Sequence, residues 1–371
     1  MASLRVQTVQ SPRELNQFIK LPWKIYAQNP CWVPHLIRDD RRLLDRAHNP
    51  FFEHAEAEYF LAFRDETPIG RIAAIKNDAH NRFHGDTAGF FGFFECDDDA
   101  DAARLLFDAA RDWLKARKLS SMRGPFNFST NEECGLLVKG FDGMPAIMMP
   151  YNHEYYPKLY ESYGLTKAKD LLAYFVATNE PPERVVRFCE KVMKRHEITF
   201  RSANRKRLDD EIALVKDIYN SAWEKNWGFV PMTDGEFAHM ASQLREILVP
   251  EFLVFAFVRG EAAAFSLMLS DINPALKKAN GRLFPFGFLH ILRGLKNATA
   301  GRVVTMGVKK DFRRLGLESI VILETYRAGR ARGITHGEMS WILEDNEPMV
   351  RVLEKLGADQ YRTYRIYETD V

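Results

Sequence analysis

The stretch from Val303 to Glu318 constrains the fold of this chain more than any other. It consists of an apolar strand ending near Val308, a short basic turn, and a helix that begins at Gly316. Such a turn leaves backbone N–H groups pointing outward at the positive end of a helix dipole, which is a favourable seat for a pyrophosphate. Because any strand-to-helix connection can carry a glycine and arginines, an ordinary structural turn is the alternative.

The elements predicted after this turn favour the phosphate-binding interpretation. A long helix is predicted over residues 319–332, a strand over 338–343, and a second helix between Asn346 and Gly357. A last strand is predicted near residues 361–367. This order, together with Arg313 and Gly316 at the turn, resembles the GCN5-related N-acetyltransferase (GNAT) superfamily.

The resemblance implies a coenzyme A site. In that superfamily an Arg/Gln-x-x-Gly-x-Gly/Ala turn holds the pyrophosphate, and the preceding strand offers its backbone to the pantetheine arm and the thioester. Glu318 departs from the pattern, because it stands where the family has Gly or Ala and adds an acidic group. The implied co-substrate is acyl-CoA or acetyl-CoA. The residues expected to bind it are Met306, Gly307, Val308, Arg313, Arg314, Leu315, Gly316, Leu317 and Asn346.

Composition excludes several classes of protein. At 371 residues the chain exceeds the usual size of one core, so two domains are expected. The 46% apolar fraction excludes disorder, and a net charge of +2 indicates no DNA partner. Four scattered cysteines form neither a metal motif nor a disulfide framework, so no metal is expected. With neither a signal peptide nor a run of about 18 apolar residues, we expect a cytoplasmic location.

An internal repeat organises the chain into two halves. Residues 59–75 form two alternating strands around a polar turn, and residues 252–268 repeat that hairpin signal. Residues 159–165 and 352–358 are similar helix ends at about the same offset in each half. We therefore expect an α/β (α+β) fold of two tandem GNAT-like domains, 1–178 and 179–371, each a mixed twisted sheet flanked by helices.

The first half differs from the second where the coenzyme turn should be. Its corresponding strand runs into four carboxylates at the start of a helix, Asp97, Asp98, Asp99 and Asp101. Aspartates suit a helix N-terminus for purely structural reasons. They would also repel a pyrophosphate and compete for the same amides. We therefore expect a degenerate coenzyme site in domain 1–178 and a working one in domain 179–371.

Each half also carries an insertion of about twenty residues. The first, within residues 124–156, is rich in groups that hydrogen-bond a polar substrate or accept a proton from an amine. A capped loop is the equal alternative. The candidate bases are Glu133 and Glu132 in this loop, with Asn131 beside them, and Glu344 and Asp345 after a later strand. The GNAT resemblance implies a tyrosine near the final helix as the acid for the leaving thiolate. The usual position has no tyrosine here, so Tyr364 or Tyr361 are the candidates. The proline-aromatic stretch 30–35 either lines an acceptor cleft or packs against the first sheet, and packing is the preferred interpretation.

The second insertion has a different composition. Residues 283–295 combine aromatic and aliphatic side chains, with cations at Arg282, Arg293 and Lys296. This composition is typical of an element at a membrane surface, and a lid packed on its own domain is the alternative. Pro285 and Gly287 predict that the segment is not one continuous helix. An apolar, basic-edged insertion beside an acyl-transfer site favours an acyl chain or a lipid amine as substrate.

Most of the chain resembles the tandem, YghO-like branch of bacterial GNAT proteins. The resemblance is carried by residues 21–26, 49–52, 89–95 and 124–135. The bacterial ceramide synthases, which acylate a sphingoid amine with a fatty acyl thioester, are similar to this branch. This resemblance implies an N-acyltransferase that acts on a primary amine. It also implies an acyl carrier protein as an alternative acyl donor, and a peripheral location on the inner face of the membrane. An acetyltransferase for a small polar amine, or a non-catalytic acyl-CoA-binding or aminoacyl-tRNA-dependent relative, are the other interpretations.

Overall fold

The computed structural model describes residues 3–177, 181–224 and 226–371. These residues form thirteen β-strands, and both predicted hairpins are among them. The strands are β1 (Leu4–Thr8), β2 (Ala55–Arg64), β3 (Thr67–Asn77), β4 (Ala88–Cys96), β5 (Ser121–Gly124), β6 (Leu136–Lys139), β7 (Thr166–Ala177), β8 (Ile198–Ser202), β9 (Leu253–Val258), β10 (Glu261–Ser270), β11 (Ala300–Val308), β12 (His336–Leu343) and β13 (Asp359–Asp370).

Twelve α-helices accompany these strands in the described part of the chain, which confirms the predicted α/β class. None of the described helices is both long and apolar enough to cross a bilayer. The helices are α1 (Pro12–Ile25), α2 (Ile37–Leu43), α3 (Asp78–His84), α4 (Ala100–Ala116), α5 (Tyr156–Tyr163), α6 (Glu183–His196), α7 (Leu208–Trp223), α8 (Asp234–Leu244), α9 (Asn273–Ala279), α10 (Gly287–Asn297), α11 (Leu317–Ala331) and α12 (Glu347–Lys355).

The chain divides into two compact units. The first contains the chain up to Leu171, together with Asn273–His290 and Arg362–Val371. The second contains Leu172–Ile272 and Ile291–Tyr361. The predicted boundary between residues 178 and 179 lies outside the described residues, so it remains a prediction. The second insertion therefore belongs largely to the first unit, although it lies in the second half of the sequence.

Both units build their sheets with the same pattern of strand directions. In the first, β2, β3 and β4 pair antiparallel and β5 joins β4 in parallel. In the second, β9, β10 and β11 pair antiparallel and β12 joins β11 in parallel. Helix α4 packs on the first sheet through Leu106 and Phe107, and helix α11 packs on the second through Ile320 and Val321. The equivalent α/β units are what the internal repeat predicts.

The two parallel strand pairs differ beyond the end of their ladders. In the first unit the chain after β5 stays on β4, because the Phe126 amide donates to the Phe91 carbonyl at 2.8 Å. The Phe93 amide then donates to Asn127 Oδ1 at 2.8 Å. A Cβ on Gly92 would lie 1.7 Å from the Phe126 carbonyl oxygen, so this crossing requires glycine. The edge of β4 is therefore covered by the protein's own backbone.

In the second unit the parallel ladder is short. Strand β11 pairs with β12 only from Ala300 to Val303, although it continues to Val308 beside β10. Residues 304–308 therefore extend beyond the ladder that joins the two parallel strands. This is the stretch that contains the predicted pantetheine-binding backbone of Met306, Gly307 and Val308.

Candidate functional site

The basic turn after β11 has the backbone expected of an anion seat. Gly316 is the N-cap of α11 and adopts φ +78°, a left-handed conformation that glycine reaches without steric cost. Arg314 also has positive φ, at +70°. The first backbone amides of α11 receive no cap from the N-cap residue, because Gly316 has no side chain to accept their hydrogen bonds. The equivalent helix of the first unit differs, since Asp99 caps α4 by accepting from the Ala102 amide at 3.1 Å.

The last turn of α7 holds this basic turn in place. The Lys310 amide donates to Ser221 Oγ at 3.2 Å, and Arg313 Nη2 donates to the Ala222 carbonyl at 2.7 Å. Lys309 Nζ lies 2.7 Å from an Asp217 carboxylate oxygen. Three contacts from one helix end therefore fix the turn within the second unit, which reduces the ordering cost of binding an anion there.

The same helix end covers part of β11. Trp223 Nε1 donates to the Met306 carbonyl at 3.1 Å. A Cβ on Gly307 would lie 2.9 Å from the Ala222 methyl group, so glycine lets α7 approach the strand. A carbonyl oxygen has two lone pairs, and the bond to Trp223 leaves one of them for a ligand.

The structure separates the predicted coenzyme residues by environment. Arg313 and Arg314 are exposed, whereas Leu317 is fully buried and Leu315 packs against the core beneath the turn. The Asn346 side chain accepts from the Met349 amide at 3.3 Å and so caps α12. The arginines and the Gly316 turn can face an anion together, while the leucines act as its support.

The loop after β5 is a folded turn closed by its own hydrogen bonds, and its role in substrate binding or proton transfer stays a prediction. The Asn127 amide donates to the Glu133 carbonyl at 2.8 Å, which closes the loop. Ser129 Oγ accepts from the Asn131 amide at 3.1 Å. Phe128, at φ +94° and 1% exposed, anchors the loop by stacking on Phe51 with ring centroids 4.7 Å apart. A buried aromatic residue with positive φ is a strained backbone site of the kind found where a loop must present a side chain.

Glu133 is the predicted catalytic residue that the structure places in a charge cluster. His35 Nε2 lies 3.1 Å from Glu133 Oε1, and His35 Nδ1 lies 3.1 Å from Asp40 Oδ1. Asn127 Nδ2 reaches Glu133 Oε2 at 3.4 Å. The Glu133 carboxylate, together with Asp40, raises the pKa of His35 well above its usual range, although desolvation opposes the shift. We call Glu133, His35 and Asp40 the acceptor cluster.

The sequence places His35 in a stretch that either lines an acceptor cleft or packs against the first sheet, and it gives no role to Asp40. The signal was the histidine at the end of that proline-aromatic stretch, but its partner Glu133 is almost one hundred residues away in the chain. Glu132 and Asn131 lie on the same loop, half-buried. Glu344 and Asp345 lie in an exposed turn between β12 and α12.

The two tyrosine candidates for the acid lie on β13. Tyr364 is fully buried in the first unit, where its Cβ lies 3.0 Å from the position of a Cβ on Gly135. Tyr361, in the second unit, donates from its hydroxyl to Glu338. Tyr364 therefore lies against Gly135, at the end of the loop after β5, and its assignment as the acid stays a prediction.

The second insertion is anchored in the first unit beside the acceptor cluster. Asn273 Nδ2 donates to the Pro145 carbonyl at 2.7 Å, and Trp23 Nε1 donates to Asn280 Oδ1 at 2.8 Å. The Ile37 amide donates to the Gly281 carbonyl at 3.0 Å. A Cβ on Gly281 would lie 3.2 Å from the His35 carbonyl oxygen. Residue 281 therefore packs directly on the backbone that carries His35.

The next residues along the chain are exposed. We define residues 282–290 as the aromatic segment. Four of its large apolar side chains are exposed, Phe284, Phe286, Phe288 and Leu289, by 76%, 65%, 37% and 47%, whereas Leu283 is half-buried. Leu292 on α10 is exposed by 59%. Helix α10 begins at Gly287, two residues after Pro285, so residues 283–295 are not one continuous helix, as Pro285 and Gly287 predict. The side chains of this segment do not form the core of a lid.

The acceptor cluster should make folding stability depend on pH. Because the folded-state pKa of His35 is raised, its contribution is fully present below roughly pH 6.5, the unfolded value, and is lost as pH rises through the folded value. We expect His35→Gln to lower the free energy of unfolding more at about pH 6 than in alkaline buffer. Urea unfolding across this range measures it. A pH-independent loss for His35→Gln would contradict the expectation.

Comparisons with known proteins agree with the fold and the tandem architecture. No family model matches the chain. The bacterial ceramide synthase of Caulobacter vibrioides (strain NA1000 / CB15N) is 36% identical over 375 residues, covering 99% of this chain and 97% of that protein. Protein YghO of Escherichia coli (strain K12) is 35% identical over 374 residues, covering 99% and 95%.

Two solved structures share the fold at low sequence identity. A tandem GNAT protein from the clavulanic acid biosynthesis pathway superposes with a TM-score of 0.59 at 11% identity, covering 99% of this chain and 98% of that one. A GCN5-related N-acetyltransferase from Sphaerobacter thermophilus gives 0.54 at 12%, covering 99% and 95%. The predicted GNAT resemblance is confirmed. The chain is an acyltransferase and belongs to the bacterial tandem-GNAT family that includes the Caulobacter ceramide synthase and YghO.

Proposed function

We propose that the protein transfers an acyl group from a coenzyme A thioester to the primary amine of a long-chain lipid, at the surface of a membrane. The observation that carries the lipid assignment is the exposed aromatic segment, which begins at the residue after Gly281 and so lies beside the acceptor cluster. The relative named a ceramide synthase supports an amine of the sphingoid class.

The second unit is the proposed donor site. The exposed Arg313 and Arg314 and the uncapped amides after Gly316 offer charge-assisted hydrogen bonds to a pyrophosphate. The backbone of residues 306–308, beyond the ladder with β12, offers amides and carbonyls to the pantetheine arm. Acyl carrier proteins present the same arm without the nucleotide, so titration with acyl-CoA and with an acyl carrier separates the two donors.

The first unit is proposed to bind no coenzyme, for two independent reasons. Its helix α4 is capped by Asp99, which also pairs with Arg64. The edge of β4 that corresponds to the open stretch of β11 is covered by residues 124–127. We assign this unit to the acceptor.

The chemistry balances without a further reactant. A protonated amine loses one proton before its lone pair forms the C–N bond to the thioester carbon. The C–S bond then breaks with its electron pair on sulfur, and the amine nitrogen loses a second proton. One of these protons ends on the coenzyme thiol and the other is released. We assign the acceptance of the first proton to the Glu133 carboxylate. A general base of this kind typically contributes about 10²–10⁴-fold in rate.

The aromatic segment favours a lipid amine over a small polar one. Three residues span at most about 11 Å, so Phe284 lies within that distance of Gly281, which itself packs on the His35 backbone. An amine whose chain is inserted in the bilayer keeps its ammonium group in the headgroup layer, where the exposed phenylalanines would also insert. A soluble amine would have no use for exposed phenylalanines at this position.

An acceptor series tests the lipid assignment. Amines of increasing chain length are assayed with one acyl-CoA in mixed anionic vesicles, with formation of the amide followed by mass spectrometry. We expect kcat/KM to rise by at least ~100-fold from a short polar amine to a sphingoid-length amine, since each added CH₂ buried contributes about 0.8 kcal/mol. Equal rates along the series would overturn the lipid acceptor and favour a small polar amine.

Glu133→Gln is expected to lower kcat by about 10²-fold or more while leaving the Kd for coenzyme A unchanged, because it removes the proton acceptor and not the donor site. Asn131→Ala is expected to lower kcat less, since it changes only the loop. Steady-state kinetics and calorimetry measure the two quantities. Glu132→Gln is the matched control on the neighbouring residue. Unchanged turnover in Glu133→Gln would move the assignment to Glu344 or Asp345.

A further inference from the structure

The acceptor cluster has a charge state that its hydrogen bonds define. Both ring nitrogens of His35 face carboxylate oxygens at 3.1 Å, one from Glu133 and one from Asp40. An ionised carboxylate can only accept, and a neutral imidazole donates from one nitrogen only. Two ionised carboxylates on one ring therefore require an imidazolium. The three groups together carry a net charge of −1.

Neighbouring residues fix the orientation of the acceptor cluster. Asn127 Oδ1 accepts from the Phe93 amide, which fixes its Nδ2 toward Glu133. The Glu133 and Asp40 side chains are 19% and 18% exposed, while His35 is 50% exposed. The charged groups that face the ring are Glu133 from the loop and Asp40 from α2, and the packed insertion contributes the Gly281 backbone. Arg282 is next in the chain and is exposed.

We infer that His35 is a positioning residue that sets the charge of the acceptor cluster, so that the cluster binds an ammonium group and yet lets it lose its proton. This inference rests on the proposed acceptor role of Glu133. Two uncompensated carboxylates would bind an ammonium group more strongly and also raise its pKa, which would hinder deprotonation. The imidazolium cancels one of the two charges, and because it already carries its proton it is not itself the base.

The inference predicts a division between binding and turnover. In His35→Gln the cluster approaches a charge of −2, so the pH at which kcat is half-maximal should rise by about one unit or more. KM for the amine should stay equal or fall. His35→Arg, which keeps a cation between the carboxylates, should restore most of the wild-type profile. A residue that only supports the loop would instead raise KM and leave the pH profile in place.

Two measurements on the full-length protein decide the matter. The first is an NMR titration of ¹³C-labelled histidines without substrate, in which His35→Gln assigns the signal and the nine other histidines serve as references. We expect His35 to titrate well above the ordinary range, and Glu133→Gln to bring it down. A His35 that titrates at its ordinary pH would overturn the inference regardless of activity.

The second measurement is the pH profile of kcat and KM for wild type, His35→Gln and His35→Arg. If Glu133→Gln abolishes turnover but His35→Gln leaves the profile unshifted, His35 has no charge-setting role and the proposed function stands. If Glu133→Gln retains full turnover, the acceptor assignment itself fails. A shifted profile that His35→Arg reverses supports the inference.

Discussion

We expect Arg313→Glu and Gly316→Glu, two changes that add a negative charge to the turn of the second unit, to abolish coenzyme A binding. Each change places a carboxylate where a pyrophosphate should lie, beside Glu318, which already contributes one acidic group. Losing a single charge-assisted contact costs about 1.5–3 kcal/mol, so the affinity should fall at least ~10-fold, and repulsion adds to that loss. Isothermal titration with coenzyme A measures the change.

Two controls separate lost binding from lost folding. Gly333 also has positive φ, +85° against +78° for Gly316, and a Cβ there would meet nothing within 4 Å. Gly333→Glu therefore adds the same charge and similar backbone strain at the other end of α11, and it should leave the affinity unchanged. Asp98→Lys in the first unit should also have little effect. Equal losses from the Asp98 and Arg313 variants would contradict a single donor site.

The backbone of the basic turn after β11 could be predicted from the sequence because all its determinants are local. An apolar strand, a basic turn and a glycine that opens a helix occupy sixteen consecutive residues, and the structure gives Gly316 the left-handed N-cap position. The start of α10 at Gly287, two residues after Pro285, is likewise specified locally. Patterns of this length specify backbone conformation without reference to any distant residue.

The acceptor cluster could not be predicted in the same way. The composition of its loop is enough to propose Glu133, but His35 and Asp40 lie almost one hundred residues earlier in the chain. Hydrophobic periodicity does not predict that these two segments come into contact. The location of residues 273–290 in the first unit is a second case, because an element's pattern predicts its apolar face but not the partner of that face. Nothing in the sequence around Gly281 indicates its contact with the His35 backbone.

The covered edge of β4 shows the same limitation. The degenerate coenzyme site was predicted from the carboxylates of residues 97–101, and Asp99 does cap α4. The second obstacle, residues 124–127 lying across Gly92, depends on a glycine whose neighbour comes thirty-four residues later in the chain. Asp99→Ser would keep the helix cap, since serine also caps well, and remove one charge. Because the chain would still cover β4, such a change should not create a coenzyme site.

Replacement of Phe284, Phe286 and Phe288 by serine should release the protein from anionic liposomes. These side chains are exposed by 76%, 65% and 37%, so a bilayer can bury them without any rearrangement of the fold. The chain carries no Asp or Glu between Ile272 and Lys310, whereas Arg282, Arg293 and Lys296 are exposed. Each cation near the surface adds on the order of 1 kcal/mol of attraction to anionic lipid. We expect binding in co-sedimentation to fall by at least ~100-fold, together with activity on a lipid amine.

The melting temperature separates this membrane role from packing within the protein. Side chains that are already exposed contribute little to folding, so the triple variant should melt close to the wild type, whereas loss of buried aromatics would cost several kcal/mol. Phe83→Ser and Phe200→Ser, at positions 41% and 45% exposed, are matched controls away from the aromatic segment and should leave liposome binding intact. Raising the salt concentration should weaken binding of the wild type, because the cations act through screened charge. A wild-type protein that ignores anionic liposomes would rule out the membrane contact, and the acceptor would then be sought among soluble amines.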